Sequence, residues 1–296
     1  SAAASNPAPV QPPAPETPAA PVAEPRPVRP ADLDVGVAVR AVRHLAGRIG
    51  PRHATSPAYR EAADWVSGRF ERLGLQVRRQ PVETPRGVSW GVPVAAGTSQ
   101  NVIAAPPGYR PGEPHLVVGA HLDTVPQAPG AEDNASGVGV LLAVGESIRD
   151  RATRLPVVLV AFGAEEPRGD SDADHHYGSR AYVASLTPRE RRAVRGMVSL
   201  DRVGVGSVVP VGSALESGGG PASEAVARAA RRADVPVVRE PNRSSDHWSF
   251  VRAGLPGARL GSTPYAGYHS PGDLPEVVDP EQLRRTGRIV LSWLAR

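Results

Sequence analysis

The 296-residue chain has no cysteine, no lysine and few aromatic residues, and each shortage narrows what it can be. Without cysteine there is no disulfide framework, no thiolate-ligated zinc, no iron–sulfur cluster and no cysteine nucleophile. Any bound metal has to be held by imidazole and carboxylate. Aromatic residues make up only 4%, so a core has to be built from Val, Leu, Ala and Ile. All 34 basic residues are Arg, which with the Ala, Pro, Gly and Val load suggests GC-rich coding. Those arginines are scattered without interleaved aromatics, so nucleic acid is not an expected partner, and the net charge of +4 reads as solubility. No run approaches the ~20 apolar residues of a membrane span. The longest, Val138–Val144, is broken by Gly139. What is present, 40% hydrophobic and 22% charged residues, is enough for a packed core.

Composition divides the chain. Residues 1–30 hold ten of the 33 prolines and no aromatic residue. Such a stretch has nothing to bury and favours extended polyproline geometry, so residues 1–32 are expected to be a disordered or semi-stiff spacer. A spacer that holds a domain away from a membrane or wall suits a secreted or cell-surface protein. The chain opens on Ser1, not Met, and is expected to be a processed or trimmed form, with no signal peptide legible.

From Leu33 the pattern changes. Val35, Val39, Val42, Leu45 and Ile49 recur at helical spacing. A second helix is signalled by Ser56 as N-cap and Pro57 at the first position, with Tyr59, Ala62, Val66, Phe70 and Leu73 on one face and Gly74 as the stop. Strands are predicted at Leu116–Gly119, Val157–Phe162, Met197–Leu200 and Ala258–Leu260. They alternate with helices at Ser136–Ile148, Ser179–Ser185 and Ala222–Ala233, and a last helix opens at Asp279. This alternation predicts an α/β fold: one domain over residues 33–296, with a central, mostly parallel (mixed) β-sheet flanked by helices on both faces.

In such a sheet, ligands gather at the carboxyl ends of the strands, and three predicted strands run into acidic or His residues there. One leads to His121-Leu122-Asp123, one to Glu165-Glu166 and one to Asp201. Asp133 lies just before a helix, and Tyr268-His269-Ser270-Pro271-Gly272-Asp273 follows the last strand. Charged groups at buried strand ends are costly unless paired or bound to a cation. Two imidazoles and three carboxylates without thiolate suit zinc in an open catalytic site. Five ligands exceed what one tetrahedral ion holding water can use, and they suit two ions sharing a carboxylate and a water. The i, i+2 spacing lets Asp123 accept the second ring N–H of His121. Glu165, beside a ligand without needing to be one, is the natural general base.

These residues, in this order, resemble the di-zinc aminopeptidases of clan MH, metallopeptidase family 28, from about His115 to the C-terminus, with Ser56–Leu75 fitting the family's early helix. The likeness is to the secreted leucyl aminopeptidases of the Streptomyces type. It implies the zinc-exopeptidase fold and two Zn²⁺ per chain: His121 and Asp201 on one, Glu166 and His269 on the other, Asp133 bridging. It further implies Glu165 as the base and Tyr268 as donor to the developing oxyanion, although a packing role for that ring stands equally open. The implied substrates are peptides with a free N-terminus, preferably large and apolar, and a monomer is expected. Two departures concern the pocket. Arg202 follows Asp201 where many relatives carry an apolar residue, and the segment 167–177 is longer and more polar, its His175 and His176 being assigned to the rim.

Three other readings stay open. A single-zinc glutaminyl cyclase on the same fold also carries a Glu-Glu pair with a polar insert. A di-zinc carboxypeptidase or deacylase would place the bridging Asp further from His121. A non-catalytic cell-surface module has no use for an intact donor set. Ser245-Asp246-His247 invites a hydrolase triad, but neighbours in sequence rarely meet in relay geometry and no G-x-S-x-G elbow is present; a supporting role behind the metal is expected. His44, His53 and His115 are expected to be ordinary exposed residues.

Overall fold

The computed structural model describes residues 1–3, 10–215 and 217–296. Residues 4–9 of the expected spacer lie outside the described residues. The chain packs onto the domain from Arg26, not from Leu33. Val28 is buried and its N–H bonds the Ala152 carbonyl at 3.0 Å, while Ala152 N–H returns to the Arg26 carbonyl at 2.9 Å. Asp32 then ties Arg26 (2.7 Å) to Arg151 (3.3 Å). An apolar Val28 among the prolines is what composition alone passed over.

Helix α1 (Val35–Val42) runs on as a wider helical segment, Arg43–Ile49, and α2 (Pro57–Arg72) follows. The Ser56 hydroxyl accepts from Tyr59 N–H, the cap its position predicts. Strand β1 (Gln76–Thr84), a small hairpin of β2 (Gly87–Ser89) and β3 (Val92–Val94), and β4 (Gly97–Ala105) come next. Then β5 (His115–His121), α3 (Ser136–Ile148), β6 (Val157–Phe162), α4 (Tyr177–Ser185), α5 (Pro188–Ala193) and β7 (Val194–Leu200) form the middle of the fold. The chain ends with β8 (Val209–Ser213), α6 (Pro221–Arg232), β9 (Val237–Pro241), α7 (His247–Arg252), β10 (Gly257–Leu260) and α8 (Pro280–Leu294).

Eight strands form one sheet in the order β1-β4-β6-β5-β7-β10-β8-β9. The central strands β6, β5, β7 and β10 are parallel; β1–β4, β4–β6 and β10–β8 are antiparallel, so the sheet is mixed. Alternate side chains serve opposite faces. Leu116, Val118 and Ala120 of β5 join the larger core with α2, α3, α6 and α8, whereas Val117 joins Phe162, Tyr182, Met197 and Phe250 on the other face. No helix among the described residues is long and apolar enough to cross a membrane. His115 is buried, contrary to expectation: its Nδ1 lies 2.8 Å from the Glu113 carbonyl, and Tyr109 packs edge-on against it.

The loops at the carboxyl edge are held by a residue that carries no sequence signal. Arg52 is fully buried, and its guanidinium donates to the main-chain carbonyls of Leu122 (2.8 Å), Leu45, Gly50 (both 3.1 Å), Pro129 (2.7 Å) and Gly130 (3.2 Å). Burial pushes it down to about 10, with Asp123, Asp273 and Asp133 opposing the shift. Replacing it removes five hydrogen bonds and leaves the Leu122, Gly50 and Pro129 carbonyls without that donor, so Arg52→Ala is expected to cost about 3–5 kcal/mol. Arg52→Lys should recover little of this, because an ammonium lacks the planar fork. Urea denaturation of the three proteins tests the expectation; equal midpoints would refute it.

Candidate metal centre

The four central parallel strands deliver their carboxyl ends to one edge, and the candidate residues meet there. His121 is the last residue of β5, Asp201 follows β7, Glu165 and Glu166 follow β6, and His269 sits in the loop after β10. Gly261 makes the turn out of β10 at φ +107°, where a Cβ would collide with the Asp201 carbonyl. Asp133 arrives from the segment before α3. Its N–H and that of Glu132 are both taken by Asp273, at 3.1 and 2.8 Å.

Three donor triads result, one of them His121, Glu165 and Glu166. His121, Asp133 and Asp201 likewise place ligand atoms within 4.8 Å of one another, and so do Asp133, Glu166 and His269. Asp133 belongs to these last two: its Oδ1 lies 3.1 Å from His121 Nε2 and its Oδ2 lies 2.8 Å from His269 Nε2. Glu166 Oε1 is 3.3 Å from His269 Nε2, and Asp201 Oδ2 is 3.7 Å from His121 Nε2. Glu165 stands beside the two that share Asp133, its Oε2 3.7 Å from His121 Nε2.

The surroundings hold these donors in place. His121 Nδ1 donates to the main-chain carbonyl of Asp123 at 3.0 Å, with the Asp123 carboxylate 3.4 Å away. That carboxylate instead accepts the N–H groups of Glu165 (3.0 Å) and Glu166 (3.1 Å), so it orients both glutamates as well as the imidazole. Ser245 Oγ donates to Asp201 Oδ2 at 2.6 Å, while His247 Nε2 donates to the Asn242 carbonyl at 2.7 Å. Ser245, Asp246 and His247 therefore form no relay. Tyr268 stacks on His269 with ring centroids 3.7 Å apart.

Two participants, Arg259 and Trp90, were not read from the sequence, while His176, expected at the rim, and Asp246, expected behind the metal, are buried beside Glu165. Arg259, buried in β10, contacts Asp201 Oδ1 at 3.3 Å. His176 puts Nε2 3.1 Å from Glu165 Oε1. The polar insertion leaves and returns at one point, with Tyr177 N–H on the Ala164 carbonyl and His176 N–H on that of Glu165. Trp90, at the tip of the β2–β3 hairpin, meets His269 edge-on at 4.4 Å. Asp246 is buried near Glu165, with neither carboxylate oxygen bonded. His176, next to the Glu-Glu pair in an unusual insertion, and Asp246, within Ser245-Asp246-His247, left a trace in the sequence; Arg259 and Trp90 left none.

Electrostatics at this edge is a contest between burial and proximity. Burial raises Glu165 and Glu166, reinforced by neighbouring carboxylates. Burial works against the charge on His121 and His269, but the surrounding carboxylates prevail, holding His121 well above its ordinary range and His269 up to about 10. Burial also opposes ionisation of Asp133 and Asp201. The two adjacent imidazoles hold Asp133 low, and Arg259 with His121 holds Asp201 low. The residues fit a metal: His121 Nε2 and Glu166 Oε1 are buried donor atoms without a hydrogen-bond partner among the described residues, a state that coordination would relieve.

A model of peptidase family M28 matches residues 101–294. The chain belongs to this family. It is 30% identical over 207 residues to the aminopeptidase YwaD of Bacillus subtilis, covering 66% of this chain and 44% of that protein. The chain spans about half the length of the curated relatives it matches. Its fold matches that of BSAP, a zinc aminopeptidase from Bacillus subtilis, with a TM-score of 0.77 over 88% of this chain and 94% of the other at 19% identity. The glutaminyl cyclase of Bacteroides thetaiotaomicron matches with a TM-score of 0.75 over 88% of this chain and 97% of the other at 21% identity. At such identities the likeness establishes the fold, a mixed α/β domain shared by both chemistries.

Two measurements probe this edge. In the chelator-stripped chain, zinc at a thousandfold excess over its Kd is expected to add about 4 kcal/mol to stability. Asp133→Asn, which removes the charge common to two of the triads, should lose most of that gain; an unchanged thermal shift would refute the shared role. The second concerns acid. Burial pushes His247 down to about 3 from 6.5, because its ring is buried and neutral. Its contribution is therefore complete above pH 6.5 and is lost as pH falls toward 3. His247→Gln should show a shallower fall in denaturation midpoint over that window; an identical slope would count against the assignment.

Proposed function

We propose that this member of family M28 is a zinc aminopeptidase that releases N-terminal residues from peptides, with two Zn²⁺ per chain. The observation that carries the reading is the pair of donor triads sharing Asp133, neither of which includes Glu165; a third, of His121, Glu165 and Glu166, overlaps both. His121 and Asp201 would hold one ion, Glu166 and His269 the other, and Asp133 both. Bound zinc supplies a water of lowered pKa and an electrophile for the scissile carbonyl.

The chain's own residues supply the rest. Glu165 takes the proton from the attacking water and later delivers it to the leaving amine, a task that suits a carboxyl whose proton affinity burial has raised. Asp123 fixes the backbone from which Glu165 projects, and His176 holds its Oε1. Tyr268, 38% exposed at the mouth, offers its hydroxyl to the carbonyl oxygen as that atom gains charge. The same acidic edge attracts a peptide's ammonium terminus, which favours cleavage at the free N-terminus. An extracytoplasmic location belongs to this reading, supported by the Pro-rich segment ahead of the domain and by a similarity to the probable lipoprotein aminopeptidase LpqL of Mycobacterium tuberculosis, 34% identical over 116 residues.

The second reading, a single-zinc glutaminyl cyclase, is favoured by the Glu-Glu pair with its polar insertion and by the cyclase-like fold. Metal analysis separates the two. Two zinc ions per chain with release of N-terminal residues from aminoacyl anilides supports the peptidase. One zinc with pyroglutamate formed from N-terminal Gln peptides supports the cyclase. For the peptidase, Glu165→Gln is expected to keep zinc bound while kcat drops by about 10²–10⁴-fold. Full activity in that variant would exclude Glu165 as the base.

A further inference from the structure

The cavity at the metal centre, about 360 Å³ in volume, has a wall that the proposed chemistry does not use. Apart from Pro167, no aliphatic side chain among the described residues lines it, and Arg202, Arg243 and Arg259 do. Arg259 is occupied by Asp201. Arg243 donates through Nε to the Ala214 carbonyl at 2.8 Å and lies over the Trp248 ring. Arg202 differs from both. Its guanidinium carbon sits 4.8 Å above the centre of the Tyr268 ring, and among the described residues its side chain meets neither a hydrogen-bond acceptor nor an ion-pair partner.

Its backbone is held for this placement. Arg202 has φ +58°, a left-handed conformation uncommon for a non-glycine residue. Arg202 N–H donates to Asn134 Oδ1 at 3.0 Å, and Ser262 N–H donates to the Arg202 carbonyl at 3.3 Å. Asn134 adjoins Asp133, so the segment that carries a metal donor also sets this guanidinium. Metal binding would neutralise the donor carboxylates; of the other acids of the lining, Asp172 is paired with Arg252 at 3.0 Å and Glu165 faces His176 at 3.1 Å. The wall facing the substrate is then cationic, where large apolar side chains gain little.

We propose that Arg202 receives a carboxylate of the substrate, so that the preferred peptides carry negative charge next to the scissile bond. The inference rests on the aminopeptidase reading and names its substrate class. A guanidinium can donate two parallel N–H bonds to a carboxylate, an arrangement a lysine cannot reproduce. The carboxylate can be the C-terminus of a dipeptide or the side chain of an N-terminal Glu or Asp, and the test separates these sources.

The zinc-loaded full chain is assayed on Leu-Gly against Leu-Gly-amide and on Glu p-nitroanilide against Gln p-nitroanilide, as wild type, Arg202→Met and Arg202→Lys. Binding of the same four compounds is followed by calorimetry in the zinc-loaded Glu165→Gln variant, with and without Arg202→Met. In one pair the acid should exceed its neutral partner in kcat/KM by about 10- to 100-fold, mainly through KM, with a matching difference in Kd. Arg202→Met should bring that ratio close to one, and Arg202→Lys should restore part of it. Preference within the dipeptide pair assigns the C-terminal carboxylate; preference within the anilide pair assigns the side chain. Hydrolysis of neutral and acidic partners at equal rates overturns the inference and leaves the aminopeptidase reading intact. So does an equal loss of kcat on all four substrates in Arg202→Met, which would make the residue a prop for Tyr268. No hydrolysis of any substrate by the wild type overturns the aminopeptidase reading, and the inference with it.

Discussion

Negative charge crowded into a water-poor edge is the constraint on which the rest of this structure depends. Asp133, Glu165, Glu166 and Asp201 are all buried at the edge where the parallel strands end, and desolvation there opposes their ionisation. In the chain itself the counter-charge comes from His121, His269 and Arg259, and the two imidazoles bind protons more tightly than usual as a result. Divalent ions in the same place would provide that charge and displace those protons. The fit of this edge to a metal and the raised proton affinity of its two imidazoles thus have one electrostatic cause.

Rigidity around that edge comes from carboxylates that are not in the donor triads. Asp123 takes two successive N–H groups, those of Glu165 and Glu166, and Asp273 takes two more, those of Glu132 and Asp133. Each clamps the backbone of a segment that carries site residues, which fixes side-chain direction without touching the metal position. Arg52 does the complementary task for carbonyls, gathering five of them from the loops beneath. Preorganisation of this kind lets the groups at the edge act without rearranging.

How much of this was legible follows from where each signal comes from. The helix Ser136–Ile148 and the strand Val157–Phe162 have the bounds their apolar pattern predicts, because both are buried throughout and packing agrees with local preference. Strands β1, β4, β8 and β9 of the sheet escaped detection. Residues Gln76–Thr84 are largely exposed, polar and interrupted by Pro81, so β1 exists through its pairing with β4 at the sheet's margin. Pairing between distant segments leaves no periodicity in either one. His115 looked like a surface residue because nothing near it in the chain shows that Tyr109 and the sheet cover it.

The sequence by itself determined the kinds of atoms available: no thiol, and imidazoles and carboxylates of which His121, Glu165, Glu166 and Asp201 stand at the ends of apolar runs. That followed from composition and short-range periodicity, which any segment carries with it. Only the tertiary structure decided that Asp133 stands between two triads, that Asp123 holds backbone as well as imidazole, and that Arg259 and His176 reach Asp201 and Glu165. It also turned Arg202 away from a surface ion pair and onto the face of Tyr268. These are distances between residues tens of positions apart, and they are set by strand order and loop return, which no local pattern encodes.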